Sequence, residues 1–297
     1  MVKDSLSVTI FRVANGIILF IAAFLCLAPF VNLLAVSLSS GPSVAAGNVG
    51  FIPVELNFDS YRFVFTNDRF IRSFVISIIR VLLGLAINVT VVVLCAYPLS
   101  RSKDEFRHRT IYSWIFIVSM LFVPSLIPSY MLIANLNMLD TIWALVLPGA
   151  LPVFSMVVVL NFFRGLPKEL EESAAIDGAG HLRVLVQIFL PLSKPPIATI
   201  VLFSAVGHWN AWFDGIIFMN RPENYPLLSY LHTIVINPAQ LMRDLQADPV
   251  LVALLQMVSN HTLRAAQLFV ATIPVLLLYP FLQRYFITGL VLGSVKE

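Results

Sequence analysis

The chain has 297 residues, of which 59% are hydrophobic and only 12% charged, with a net charge of +3 and a mean hydropathy of +0.88. So few charges cannot cover a water-soluble protein of this size, so composition excludes a soluble globular domain and points to a lipid bilayer as solvent. The modest net charge gives no sign of a nucleic-acid partner, and Cys26 and Cys95, both inside apolar runs, imply neither a disulfide framework nor a metal cage.

Charge-free apolar windows of about 20 residues, the length that crosses a bilayer, occur at 13–34, 81–100, 110–139, 141–163, 195–213 and 265–283. The expected fold is therefore an all-α polytopic membrane protein with six transmembrane helices, forming a single transmembrane domain over 1–297. Ser43-Val44-Ala45 resembles a signal cleavage site, but the preceding apolar run is too long for a signal peptide, and an uncleaved first span is expected. Lys3, Arg12, the run from Arg101 to Arg109, Arg164, Lys168, Arg183, Lys194, Arg284 and Lys296 all fall on one side of the six spans. These are twelve of the 19 basic residues, mostly in short loops, which places that side and both termini in the cytoplasm.

In chain order, 37–68 is an outer connector rich in Gly, Pro, Asn and Ser, with a short surface helix expected near 60–65. Span two carries Arg80 two turns after Arg72. An ionisable group at that depth either contacts a substrate path or is satisfied structurally, by snorkelling to the headgroups or by pairing within the bundle. The hairpin 101–109 is charged, and its charges are read as orientation signals. Pro124 and Pro128 in span three, and Pro148 and Pro152 in span four, each free a carbonyl one turn earlier and predict kinks. An outer loop at 221–264 is too long for a simple turn, and 250–258 reads as a short interfacial helix.

Between spans four and five lies a polar loop, 164–196. Pro167 suits a first helical turn, and Glu169, Glu171 and Glu172 then lie at the positive end of the helix dipole, so a helix is expected over 168–176. Asp177-Gly178-Ala179-Gly180 favours a reversal, with Gly178 either left-handed or too crowded for a Cβ. Helical character resumes over 182–190, with Arg183 and Gln187 four apart, until Pro191 stops it. In span five, a helix advancing 100° per residue puts Trp209, Asn210, Phe213 and Asp214 on one arc and leaves His208 and Trp212 outside it. Flat aromatic faces beside amide and carboxylate groups suit a sugar, so these four residues and Arg80 are the candidate substrate path. Packing and helix association are the alternative for the same residues. Were the substrate acidic, Asp214 would repel it unless Arg80, Arg221 or another cation compensates.

The spacing Glu172-Ser173-Ala174, three residues, Gly178, nine residues, Ile188-Phe189-Leu190-Pro191 resembles the coupling-loop motif of bacterial ATP-binding-cassette (ABC) importer permeases, with Ser173 in place of the usual first alanine. Ala96 to Arg101, Leu139 to Ala144, Leu147 to Ala150, His208 to Phe213, Tyr279 to Phe286 and Gly289 to Lys296 extend the likeness over nearly the whole chain. Together they are similar to carbohydrate-uptake permeases of the maltose-importer type, most of all to the second permease of importers for larger saccharides such as alginate or rhamnogalacturonan fragments. Ala211 stands where that pattern usually has Glu after Trp-Asn, so no role for that acid carries over.

The resemblance implies a permease subunit of the bacterial cytoplasmic membrane that imports an oligosaccharide or polysaccharide. It implies a cytoplasmic coupling helix between spans four and five, with Glu172, Ser173, Ala174, Asp177, Gly178 and Ala179 as the ATPase-coupling residues and Gly289, Gly293 and Lys296 in a tail near the ATPase. It also implies a sister permease, two ATPase subunits that bind ATP and Mg, and an extracytoplasmic solute-binding protein. The chain itself has no G-x-x-x-x-G-K-[ST] loop, no believable metal-ligand set and no nucleophile–base pair, and His208, His232 and His261 are scattered, so no catalytic role or cofactor is expected in it. The alternative is an ion- or proton-coupled secondary transporter, for which Asp214 is the only acid near a span interior.

Overall fold

The computed structural model describes residues 6–122, 124–236 and 259–294, and all regular structure among them is helical. Among the described residues three helices are long and apolar enough to cross a membrane, or up to six spans if each of three broken helix pairs counts as one.

The chain forms two compact units. The first comprises 1–71 and 231–273. Its α1 (Leu6–Ser37) buries none of its most apolar stretch, and Phe20 is 72% exposed. Such a surface is stable only against lipid. After α1 come α2 (Gly41–Ala45), entered through the Ser40 side chain, and α3 (Asp59–Thr66), the short helix expected from the sequence. Phe63 and Val64 of α3 are fully buried, and the Tyr61 hydroxyl meets Ser37 Oγ at 2.7 Å.

The second unit comprises 72–230 and 274–297. α4 (Asp68–Ser100) begins just before it and supplies its spine. Val92, Val93, Ala96 and Leu99 of α4 pack with Met156, Val159, Leu160 and Phe163 of α8 (Val153–Arg164). Between helices in lipid there is little hydrophobic drive, so close packing of such side chains supplies the cohesion.

The prolines act in different ways. The expected third span is two helices, α5 (Arg109–Leu121) and α6 (Leu126–Asn135), on either side of Pro124. Pro128 lies in the first turn of α6, where its missing N–H costs nothing. The fourth runs through α7 (Ile142–Val146) and a 3₁₀ turn at Leu147–Gly149, then bends by 47° into α8.

Pro191 does not end the helix before span five, contrary to expectation. α10 (His181–Val184) widens into a π-helical turn at Leu185–Phe189, and α11 (Leu190–Leu192) carries Pro191 onward. The wider turn shifts the carbonyl register, so the proline ring and its missing N–H are accommodated. The break comes at Ser193, where the chain turns by 84° into α12 (Lys194–Asn210). Beyond it lie α13 (Phe213–Phe218), a 3₁₀ turn at Pro222–Asn224, α14 (Leu227–Ile236) and α15 (Asn260–Ser294). Gly289 and Gly293 fall within the last turns of α15. The interfacial helix expected at 250–258 and the tail residue Lys296 lie outside the described residues.

Candidate functional sites

The first half of the polar loop folds as its sequence suggests. α9 (Glu169–Ile176) carries Glu169, Glu171 and Glu172 in its first turn. It ends in two reversed hydrogen bonds, Ala179 N–H to the Ala174 carbonyl at 2.9 Å and Gly178 N–H to the Ala175 carbonyl at 3.0 Å. This is a Schellman cap, which requires a left-handed residue, and Gly178 has φ +74°. A Cβ on Gly178 would meet nothing within 4 Å, so backbone conformation rather than crowding calls for glycine there.

Of the six residues expected to couple, Ala174 is buried and Ala179 packs against the same core, while Glu172, Ser173, Asp177 and Gly178 are exposed. The helix is thus seated on one side and open on the other. On the open side Ile176 is 87% exposed. Arg183 donates from Nε to Gln187 Oε1 at 3.1 Å, as their spacing suggested.

Arg101, read from sequence as an orientation charge, is instead buried and ion-paired with Glu171 of α9. Its guanidinium lies 4.1 Å from the Tyr97 ring centroid and 5.1 Å from that of Phe189. The cation is held by two aromatic faces, the Glu171 carboxylate and, at 3.9 Å, that of Glu105, which is how a desolvated charge becomes tolerable. Arg164 Nη2 donates to the Leu99 carbonyl at 3.1 Å, and Arg109 donates to the Arg101 carbonyl. Both place positive charge on the C-terminal end of α4, where the helix dipole favours it.

A second polar cluster lies within the apolar body. Arg80 of α4, only 2% exposed, makes a bidentate ion pair with Asp214, in the first turn of α13. Its Nη1 also donates to the Ala211 carbonyl at 3.0 Å, and Nη2 to the Leu145 carbonyl at 3.4 Å. These carbonyls sit where α12 ends and where α7 tightens into its 3₁₀ turn. Backbone groups freed by helix breaks away from water must find partners, and one guanidinium satisfies two of them. Arg80 is thus paired within the bundle rather than snorkelling to the headgroups.

The arc expected along span five does not form as one helix. α12 stops at Asn210, Ala211 is extended (φ −72°, ψ 114°), and a new helix starts at Phe213. The 100° progression therefore fails between Asn210 and Phe213. Trp209 is buried, edge-on to Phe74 at 5.7 Å, and Asn210 and Phe213 are exposed. His208, placed outside the arc by periodicity, instead joins Arg80 and Asp214 in lining a cavity of about 360 Å³. Asn88, Ser155 and Ser204 line it too. Gly84 is buried beneath His208, and a Cβ there would overlap the imidazole. No sequence signal joins His208 to Arg80, because they meet only through the crossing of α4 and α12.

A polar latch fixes the chain beyond α13. Asp140, in a left-handed conformation at φ +62°, accepts from Asn224 Nδ2 at 3.0 Å and pairs with Arg221 at 3.3 Å. Arg72 in turn donates to Asn224 Oδ1 at 3.2 Å. Among the described residues no group of three or more His, Cys, Asp or Glu side chains could hold a metal ion.

Comparison with known proteins gives this architecture a family. The chain is 36% identical to the polygalacturonan/rhamnogalacturonan transport system permease protein YtcP of Bacillus subtilis, over 92% of this chain and 94% of that one. It is also 36% identical to protein LplC of the same organism, over 97% and 95%. Its fold matches a chain of the crystal structure of a bacterial ABC transporter involved in the import of the acidic polysaccharide alginate, with a TM-score of 0.85 and 29% identity, over 96% of this chain and all of the other. Residues 92–291, which hold the capped α9 and Asp214, match the family of binding-protein-dependent transport system inner membrane components, and the chain belongs to that family, the permeases of ABC importers.

Proposed function

We propose that this chain is the transmembrane subunit of an ATP-driven importer for an oligosaccharide or polysaccharide, with acidic chains such as alginate or rhamnogalacturonan fragments within its range. The observation that carries this reading is the full-length correspondence in fold with a chain of the alginate importer, supported by relatives of equal length such as the rhamnogalacturonan permease. In this reading the three long helices and three broken pairs make six spans of one transmembrane domain. The basic side of those spans, with both termini, faces the cytoplasm.

α9 is then the coupling helix. Glu172, Ser173, Asp177 and Gly178 present its open face to an ATPase subunit, Ala174 and Ala179 seat it, and the tail containing Gly289, Gly293 and Lys296 lies near the same partner. Ile176 and Leu182, both strongly exposed in this polar loop, are the apolar side chains that an ATPase groove would cover. ATP closes two ATPase subunits, the coupling helices of this chain and a sister permease follow, and a solute-binding protein delivers sugar on the outer side. The region around Arg80, Trp209, Asn210, Phe213 and Asp214 forms this chain's share of the path. Asp214, the acid an ion-coupled mechanism would use, is already bound to Arg80.

Purification of the complex from its native host tests the proposal. The expected result is co-purification of an ATPase and a second permease, with ATP hydrolysis stimulated by the cognate binding protein loaded with saccharide. Sugar uptake that depends on a proton or sodium gradient, with no associated ATPase, would refute it.

A further inference from the structure

The cavity beside Arg80 contains more polar capacity than the fold uses. Asn88 is 6% exposed and Ser204 is 8% exposed, and both line the cavity. Among the described residues, Asn88 Oδ1 and Ser204 Oγ have no hydrogen-bond partner. Buried polar atoms without partners are costly, and a serine on a helix ordinarily bonds the carbonyl one turn back. Here an amide oxygen and a hydroxyl stand free on facing helices, α4 and α12, with His208 beside them. A volume of about 360 Å³ falls in the range of small-molecule sites, roughly 300–1,000 Å³.

The charge balance narrows what can bind. Arg80 is the cation of this wall, and both its terminal nitrogens are committed, to Asp214 and to two backbone carbonyls. The wall carries a matched pair and therefore no net positive charge for a carboxylate; what Arg80 leaves over is a single buried N–H donor, Nε, with no partner among the described residues. What it does offer is an acceptor from Asn88, an acceptor and donor from Ser204, and the His208 ring, a set suited to hydroxyl groups.

We infer that Asn88, Ser204 and His208 form a hydroxyl-reading saccharide subsite, and that the Arg80–Asp214 pair makes this subsite indifferent to whether the sugar is a uronate or its neutral counterpart. The inference rests on the saccharide-import reading above. It assigns recognition of an acidic polymer's carboxylates to surfaces other than this wall. Asp214 acts as a specificity-setting residue by occupying Arg80.

The test uses the assembled complex in nanodiscs, with Ser204→Cys introduced on a Cys26→Ser, Cys95→Ala background. The rate of thiol labelling by a small methanethiosulfonate reagent is measured with trigalacturonate and with its methyl ester as probes. Both sugars are expected to slow labelling, with half-protecting concentrations within about twofold of each other, and Asn88→Ala is expected to raise both by about 3–10-fold, the loss of one hydrogen bond. In Asp214→Asn, the freed guanidinium is expected to favour the acidic sugar by about tenfold or more. The double variant Arg80→Gln/Asp214→Asn removes both charges, restores indifference, and guards against misfolding of the single variant.

Absence of protection by either sugar, in a complex whose ATPase still responds to saccharide-loaded binding protein, overturns the subsite alone. A strong preference for the acidic sugar in the Asp214-containing complex overturns the charge-balance assignment. A complex that responds to no saccharide in either assay overturns the import reading and this inference with it.

Discussion

Arg80 and Arg101 sit along one helical spine, α4 and the residue that follows it, separated by about 32 Å at 1.5 Å per residue, and both are almost completely buried. Each pairs with a carboxylate far away in sequence, Arg80 with Asp214 and Arg101 with Glu171. Their remaining partners differ. Arg80 adds two backbone carbonyls at helix breaks and leaves Nε without a hydrogen-bond partner among the described residues, whereas Arg101 lies against the Tyr97 and Phe189 rings and leaves both Nε and Nη2 without one. The first arrangement holds irregular backbone in place, and its geometry tolerates little movement. The second is built from π faces and ion pairs to Glu171 and Glu105, contacts that depend less on one fixed geometry than bonds to backbone carbonyls do. That contrast suits a fixed cavity at one end of the spine and a moving joint at the other.

The largest expected effect comes from breaking the fixed end. Arg80→Ala leaves Asp214 and the carbonyls of Ala211 and Leu145 without their partner, at a cost of about 3–5 kcal/mol. The assembled complex should unfold well below wild type in a thermal assay in detergent. Because one network is involved, Asp214→Ala added to Arg80→Ala should cost less than the sum of the two single changes. Additive losses would show that the pair does not act as a unit.

At the other end the effect should be smaller in stability and larger in function. Arg101→Gln loses the ion pair to Glu171 and the ring contacts, roughly 1–2 kcal/mol once the part-exposed carboxylate is discounted. Assembly should persist while sugar-stimulated ATP hydrolysis drops several-fold. Arg101→Lys, which keeps the charge but not the planar stacking, should restore only part of it. Equal hydrolysis in all three proteins would remove Arg101 from the joint.

Gly178 sharpens the same end by a backbone route. With nothing within 4 Å of where a Cβ would sit, Gly178→Val is strained only through its left-handed φ, about 1–2 kcal/mol. The complex should still assemble, with α9 reoriented and uptake uncoupled from hydrolysis. Wild-type uptake by this variant would sink α9 as the transmitting element.

The smallest effect belongs to a carboxylate outside the spans that has hydroxyl partners and no buried arginine. Ser40 Oγ and Ser43 Oγ donate to Glu55 Oε2 at 2.5 and 3.0 Å, and these bonds hold its carboxyl below the ordinary range. A depressed folded-state pKa contributes stability that is present above the unfolded-state value and is lost as pH falls through the folded one. Ser40→Ala with Ser43→Ala should move the Glu55 titration midpoint upward, measured by NMR of labelled glutamate in nanodiscs. An unmoved midpoint would mean that the hydroxyls do not hold it.

Much of this protein was decided locally and could be read from the chain alone. The bilayer environment follows from a charge content too low for water, and α1 shows the consequence by exposing nearly all of its apolar surface. α3 and α9 appear where short-range signals put them, and Gly178 takes the left-handed turn because the Schellman cap is a matter of adjacent residues. What only tertiary structure decided is which polar groups meet. Periodicity describes one unbroken helix, so it could not foresee that α12 would stop at Asn210, move His208 into a cavity and leave Asn210 exposed. Nor could it pair Arg80 with Asp214 or Arg101 with Glu171, since those bonds join residues from different helices. A helix can break inside a bilayer only where some distant side chain satisfies the freed carbonyl, and where that side chain lies is a property of the packed bundle.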